Sequence, residues 1–381
     1  MVKINNAEAL GIIFPNSYDT LVPELVSERS IASIPFASRY RVIDFVLSSM
    51  VNSGIDNISV IARKNYRSLM DHLGSGREWD LTRKNGGLNI IPPYAERTVQ
   101  IYTGRIEALA SILGLLKNKK EKYVVITDAN VAINFDFKDM IKEHVKSGAD
   151  VSVAYKRMEI PQGLKESPLE KGNLYYSLDI EDGRITKMHI DPKEKGEQNL
   201  CINIYVIDRE MLIEQISDAY AKGLVHFGRD FLAPHLDSLN IHAYRYEGYM
   251  AHFGNLKSYF DENMKLLKDE NLDALFAGRP IYTKIRDDNP TRYIDGAKAK
   301  NVMAADGCII EGKIENCVLF RGVKIGKGAK VKNCVLMQDT VVEAGASIEN
   351  VVTDKRVRIG EGKEIKGSDT FPVYIAKGQN V

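Results

Sequence analysis

Apolar and polar positions along the first two thirds of the chain follow a strand-then-helix rhythm. The run from Ala9 to Phe14 is apolar and short, the length of a buried strand. Ile58-Ser59-Val60-Ile61-Ala62 predicts a second strand, with helical spacing from Arg67 to Leu73 behind it. The alternation returns at Tyr123 to Thr127 followed by Phe137 to Lys146, at Asp150 to Tyr155, and at Ile202 to Ile207 followed by Met211 to Gln215. Such units predict an α/β domain, a doubly wound and mostly parallel sheet covered on both faces. Ligands bind these sheets at the carboxyl ends of the strands, so the loops after Phe14, Ala62 and Thr127 should face one cleft.

The pattern then changes. Apolar residues at Leu256, Tyr259, Phe260, Met264 and Leu267 lie on one face of a helix. Proline and charge punctuate the stretch from Gly278-Arg279-Pro280 to Asn289-Pro290, which reads as a linker. Beyond it Leu319, Ile325, Val331 and Met337 recur at every sixth position, with Val323, Ala329, Val335 and Val341 in a second phase. Hexapeptide repeats stack short strands into a parallel β-helix, because one coil alone cannot bury its apolar side. The expected domains are residues 1–255, a helix and linker over 256–290, and a β-helix over 291–381.

Charge narrows the function classes. Lys+Arg 52 against Asp+Glu 51 leaves a net charge of +1, so no global field draws the chain to nucleic acid or an acidic membrane, and any anion site must be local. No apolar run approaches the ~20 residues of a membrane span, and the N-terminus lacks a signal-peptide core, which predicts a cytoplasmic protein. Cys201, Cys308, Cys317 and Cys334 have neither disulfide-scaffold density nor metal-ligand spacing and are expected to be small buried hydrophobes.

The loop after the first strand carries the decisive chemistry. A phosphate cradle needs glycine so that backbone N–H groups can turn toward the anion. Here the loop is Pro15-Asn16-Ser17-Tyr18-Asp19-Thr20-Leu21, bulky and acidic instead. Downstream, Arg39-Tyr40-Arg41-Val42-Ile43-Asp44-Phe45, then Leu47-Ser48-Ser49 and Asn52-Ser53-Gly54-Ile55, resemble the hallmark of bacterial ADP-glucose pyrophosphorylases (glucose-1-phosphate adenylyltransferases). Tyr293-Ile294-Asp295-Gly296 and Ala305-Asp306-Gly307-Cys308 resemble the entry to that family's left-handed β-helix. Trp79-Asp80-Leu81, Asn85-Gly86-Gly87 and Ile91-Pro92-Pro93-Tyr94 resemble its cleft-side loop.

The resemblance also shows what is missing. Laid on the family pattern, the loop glycines fall on Asn16, Ser17 and Asp19, the loop arginine on Leu21, and the Lys-Pro pair on Ile31-Ala32. One metal-binding carboxylate falls on Asn130 and the other on His252, and the sugar-phosphate lysine falls on Asp191. The adenine-side glutamine maps to Arg63, and a conserved turn of the family to Gly104-Arg105-Ile106-Glu107-Ala108. Adenylyl transfer depends on placed phosphates and a divalent cation held by carboxylates. The resemblance therefore implies a chain with no intact catalytic set, no metal and no cofactor of its own.

What it retains is regulatory. Arg29, Arg39, Arg41, Arg356 and Arg358 are the candidates for an effector site between the domains, because guanidinium groups donate paired hydrogen bonds to phosphate. The resemblance implies a regulatory subunit in glycogen biosynthesis, in a hetero-oligomer, expected to be a tetramer, with an active homologue that uses Mg²⁺ to make ADP-glucose from ATP and glucose 1-phosphate. A glycolytic sugar phosphate is the expected effector. Two rivals stand beside it: an active nucleotidyltransferase relying on Asp128, Asp136, Lys187 and Lys193, and a stand-alone sensor of nucleotide or sugar phosphate.

Overall fold

The computed structural model describes residues 8–84, 86–93, 102–165 and 174–381, so Asn85 and Tyr94 of the cleft-side loop lie outside it. Strand β1 is Ala9–Phe14, and all six of its residues are buried. It is followed by helix α1 (Val42–Asn52), β2 (Asn57–Ile61), α2 (Arg67–Leu73) and β3 (Gly87–Ile91). Next come α3 (Arg105–Ser111), β4 (Tyr123–Asp128), β5 (Val131–Ile133), α4 (Phe137–Ser147) and β6 (Val151–Glu159). The domain closes with β7 (Tyr176–Glu181), β8 (Arg184–Ile190), β9 (Glu197–Asp208), α5 (Arg209–Ala221), β10 (Ile241–Arg245) and β11 (Met250–His252).

Nine strands form one sheet in the order β3-β2-β1-β4-β9-β6-β10-β8-β7. Pairing is parallel from β3 through β4 and between β6 and β10, while β8 and β9 run against the rest. The stretch around Ile202, expected as one more parallel strand, is thus the antiparallel member of a mixed sheet. Periodicity reports which faces are buried and says nothing about direction. A bulge between Cys201 and Tyr205, with Asn203 at φ +56°, bends β9 beside the strand ends.

The helices start where side chains accept their first N–H groups. Asp136 Oδ1 accepts the Asp139 N–H (3.0 Å) and Asp208 Oδ1 accepts those of Glu210 and Met211. Asp44 is fully buried; one carboxylate oxygen accepts the Arg41 N–H (2.9 Å) and the other meets His72 Nε2 at 2.5 Å. The hallmark sequence is therefore a folding device, joining the start of α1 to α2. Trp79 and Leu81 are buried core too, not cleft surface: Trp79 Nε1 donates to Ser48 Oγ on α1 (3.2 Å).

The C-terminal unit is a parallel β-helix with two ladders of five and six strands. Lys313 pairs with Lys330, Lys330 with Ser347 and Ser347 with Glu364, a step of 17 residues per coil where strict hexads would give 18. One consequence is that Val342, not Val341, points inward. Asn301, Asn316, Asn333 and Asn350 all adopt positive φ at the shortened corner, and the first three are joined by side-chain hydrogen bonds. All four cysteines are buried and free.

Helix α6 (Leu256–Lys265) rivets the two units together. Its Tyr259 hydroxyl donates to the Pro35 carbonyl (2.7 Å), and Asn263 Oδ1 accepts the Ala37 N–H. Tyr259 and Phe260 belong to one apolar cluster that runs from Leu25, Ile34 and Phe36 to Val318, Phe320, Val335 and Val352 of the β-helix. Each fully buried side chain of that size contributes roughly 1.5–3 kcal/mol, so the domains share a core. No helix among the described residues is long and apolar enough to cross a membrane.

Candidate functional site

The loop after β1 is folded onto itself. The Asp19 N–H donates to the Asn16 carbonyl and the Leu21 N–H to that of Tyr18, so amides that would face an anion are spent locally. Asn16 Nδ2 donates to Asp19 Oδ2 (2.8 Å) and the Lys64 carbonyl, while Asp19 Oδ1 accepts the Ile31 N–H (2.7 Å). Burial raises the Asp19 carboxyl to about 6 against these hydrogen bonds. Tyr18, at φ +68°, turns its ring into the cleft; its hydroxyl donates to the Leu174 carbonyl (2.6 Å) and accepts from Asn203 Nδ2 (2.8 Å). The ring lines two separate cavities, one of about 100 Å³ with Arg63, Tyr102 and Arg105, the other of about 20 Å³ with Asn130, Asn203 and His252.

At the end of β4, Asp128 is 1% exposed and engaged on both oxygens. Ser17 Oγ donates to one (2.6 Å) and Arg105, the first residue of α3, forms an ion pair with the other. Burial opposes the charge on Arg105, but the Asp128 carboxylate outweighs it and raises the guanidinium further above its ordinary value. Asn130 and His252 lie together, since β5 and β11 pair with His252 opposite Val131. His252 Nδ1 has no hydrogen-bond partner among the described residues, and burial lowers the imidazole to about 4. It is neutral near pH 7.

Other predicted positions have left the cleft. Leu21 and Ile31 are buried in the cluster shared with the β-helix. Asp191, at φ +48°, turns back on its own chain, and its Oδ1 accepts the Tyr175 N–H (3.0 Å). Lys187 and Lys193 are exposed and line neither cavity. Asp136 caps α4 and pairs with Arg279 at 2.7 Å.

A second cleft opens between the domains. Its inner part, about 140 Å³, is lined by Arg39, Arg41, Arg286 and Arg321, and its outer part, about 680 Å³, by Arg41, Arg67, Arg356 and Lys377. Lys284, Gln338 and Lys355 border both. The acidic lining is confined to Glu28, Asp71 and Asp339 in the outer part. Two expected arginines are not in it. Arg29 is 3% exposed, and its Nη2 donates to both oxygens of Asp354 (2.7 and 2.8 Å), making it a rivet between the domains. Arg358 pairs with Glu343 on an outer face of the β-helix. Among the described residues no carboxylate lies within ion-pair distance of Arg39, Arg41, Arg67, Lys355 or Arg356, a concentration of unneutralised charge suited to an anion.

Comparison with known proteins agrees with the architecture. The nucleotidyl transferase family pattern matches residues 21–269, and the GlmU-like C-terminal hexapeptide pattern matches residues 286–370. The glycogen biosynthesis protein GlgD of Bacillus subtilis is 34% identical over 98% of this chain and 97% of its own length. GlgD of Geobacillus stearothermophilus is 35% identical over 85% of this chain and 83% of its own. A glucose-1-phosphate adenylyltransferase of Bacillus cytotoxicus is 30% identical over 87% of this chain and 86% of its own. The chain belongs to the glucose-1-phosphate adenylyltransferase family. Its β-helix is accordingly the left-handed one of hexapeptide proteins.

The divalent cation that this adenylyltransferase family implies does not fit here. Mg²⁺ takes oxygen ligands and favours charge. At its expected place stand an amide, a neutral imidazole and an Asp128 already neutralised by Arg105. Among the described residues no group of three or more His, Cys, Asp or Glu is gathered as metal ligands would be. Sequence reasoning noted Arg105 only as an altered turn and missed its pairing. It also missed Arg321 and Lys355, although both stand on one corner of successive coils with Gln338 between them, linked by the Asp339 N–H to the Arg321 carbonyl and the Arg356 N–H to the Gln338 carbonyl. Reading the coil as 17 residues instead of 18 would have aligned them.

Proposed function

We propose that this chain is a non-catalytic regulatory subunit in glycogen biosynthesis, acting in a hetero-oligomer, a tetramer by expectation, with an active glucose-1-phosphate adenylyltransferase. The observation that carries the reading is the buried Arg105–Asp128 pair. A guanidinium occupies the strand-end carboxylate, and Tyr18 divides the cleft that a nucleotide and a sugar phosphate would share. Mg²⁺ chemistry then belongs to the partner. The GlgD relatives support the pathway, and the basic cleft between the domains supports control by a sugar phosphate. An inactive subunit modulates its partner by binding one conformational state better than another, and an anion in a cleft contacting both domains would bias that choice.

The test is pyrophosphate release from ATP and glucose 1-phosphate with Mg²⁺. This chain, an active family member such as that of Geobacillus stearothermophilus, and their mixture are compared with and without fructose 1,6-bisphosphate. Silence alone with an altered rate in the mixture is expected, together with co-elution of the two chains. Turnover by this chain alone would overturn the reading.

A further inference from the structure

The last coil of the β-helix departs from the others at one corner. Strands Lys298–Ala304, Lys313–Leu319, Lys330–Leu336 and Ser347–Thr353 each turn that corner on a single asparagine at positive φ, Asn301, Asn316, Asn333 or Asn350. In the last coil Glu364–Lys366 and Val373–Ile375 both pair with Ser347–Thr353, and the stretch Gly367-Ser368-Asp369-Thr370-Phe371-Pro372 stands between them where one asparagine would. This loop is fastened to the coil beneath it. The Gly367 N–H donates to the Glu349 carbonyl (2.8 Å) and Asn350 Nδ2 to the Gly367 carbonyl (3.2 Å). A Cβ on Gly367 would lie 2.4 Å from the Asn350 carbonyl oxygen, so the close approach requires glycine. The Ser368 N–H donates to the Phe371 carbonyl, and the Phe371 N–H returns to the Ser368 carbonyl and Oγ, which closes the tip. Phe371 is thereby held 74% exposed, the most exposed large apolar side chain among the described residues.

One exposed apolar side chain is ordinary on a protein surface. A loop added to a repeat and bonded shut around a projecting ring is not, and its surroundings decide what the ring can meet. Exposed Ser368, Asp369 and Thr370 precede it, and the corner continues away from it as a ladder of amides, with Asn301 Nδ2 donating to Asn316 Oδ1 and Asn316 Nδ2 to Asn333 Oδ1. Beside the ladder Lys300, Glu315, Lys332, Glu349 and Lys366 share one register position on successive coils and form ion pairs along the column at 2.9 to 3.4 Å. Alternating charges cancel, so this face offers no field to a polyanion. No other exposed large apolar residue stands in the loop or on that column, so Phe371 lacks the apolar neighbours of a protein hot spot. What remains is an aromatic face among hydroxyls, amides and paired charges. It suits a pyranose ring, whose C–H face packs on the aromatic while its hydroxyl edge takes hydrogen bonds.

We propose that the Gly367–Pro372 loop and the asparagine corner form a surface site for neutral α-glucan chains, with Phe371 stacking on a glucose ring. The choice of glucan rests on the reading of this chain as a protein of glycogen biosynthesis. Phe371 lines neither the strand-end cavities nor the interdomain cleft, so a glucan held there obstructs neither. One ring contact is weak. Glycogen presents many chains, and an oligomer presents more than one loop, so the polymer binds by multivalency where a short oligosaccharide scarcely does. The site would keep the subunit on the polymer that its pathway builds.

Native electrophoresis of the full chain through gels containing glycogen tests this, with polyvinylpyrrolidone gels as the inert-polymer control. Retardation by glycogen, relieved by excess maltoheptaose and absent in the control, is expected. Phe371→Ala should weaken the apparent affinity by roughly five- to tenfold with an unchanged thermal midpoint, and Phe371→Trp should retain it. Retardation that survives intact in Phe371→Ala, or that is equal in the inert polymer, overturns the site. So does a chain that ignores glycogen; if Phe371→Ala then abolishes co-elution with an active adenylyltransferase, the ring is a subunit contact instead. The regulatory reading fails separately, in the pyrophosphate assay, which contains no polymer.

Discussion

Replacing Arg105 by Met removes the cation from a pair whose other member cannot escape. Asp128 is 1% exposed, so its carboxylate would be left with neutral hydrogen-bond donors, Ser17 and Asn203, and no counter-charge. Stranding one member of a buried pair costs about 3–5 kcal/mol. The converse change is milder. The Arg105 side chain is 17% exposed and borders the 100 Å³ cavity, so in Asp128→Asn the guanidinium can turn toward water at a cost of about 1–2 kcal/mol. The double variant should be more stable than Arg105→Met alone, with a coupling energy of about 2 kcal/mol or more. Urea unfolding near neutral pH, followed by fluorescence, reads this domain, because the chain's single tryptophan, Trp79, lies 1% exposed in its core. Additive effects, or an Asp128→Asn loss as large as that of Arg105→Met, would show that the pair is not the buried neutralising device described here.

Three further outcomes follow from the same geometry. Tyr18→Gly trades a buried ring, about 3–5 kcal/mol, for relief of a left-handed backbone, about 1 kcal/mol, so a net loss of about 2–4 kcal/mol in the same unfolding assay is expected; an unchanged midpoint would mean the ring fills nothing. Arg29→Met strands Asp354 beside Tyr374 and should raise hydrogen exchange along Val318, Val335 and Val352, where the domains meet; protection equal to wild type would refute the rivet. His252 is held near 4 when folded and returns to about 6.5 when unfolded, so the unfolded chain binds the extra proton and stability falls as pH drops through that window. The full slope is about 1.4 kcal/mol per pH unit, and His252→Phe should flatten it; an identical acid slope in the variant would count against a buried neutral imidazole.

Much of the fold was written in periodicities. Buried strands such as Ala9–Phe14, amphipathic helices such as Phe137–Ser147 and the hexapeptide repeat are local patterns and formed close to their expected places, whereas β9 and α5 run well beyond theirs, to Glu197 and Ala221. The absences at the strand ends were equally legible, because Leu21, Ile31, Asn130 and His252 differ in charge from what phosphate and metal chemistry uses, whatever their surroundings. The direction of β9 and the 17-residue coil were not, since both are set by pairing between distant segments.

The amino-acid order by itself thus determined most of the architecture and which residue types stand at the strand-end cleft. Only the tertiary structure decided what fills that cleft and where the free charges gather. Arg105 and Asp128 are 23 residues apart, Arg29 and Asp354 are 325 apart, and neither pair leaves a trace in spacing. The same holds for part of the basic cleft: Arg39, Arg41 and Arg356 were expected there from the sequence, but Arg67, Arg321 and Lys355 join them only because a shared apolar core presses the β-helix against the first domain. Burial and proximity set the energy of a charge, and both are properties of the folded chain.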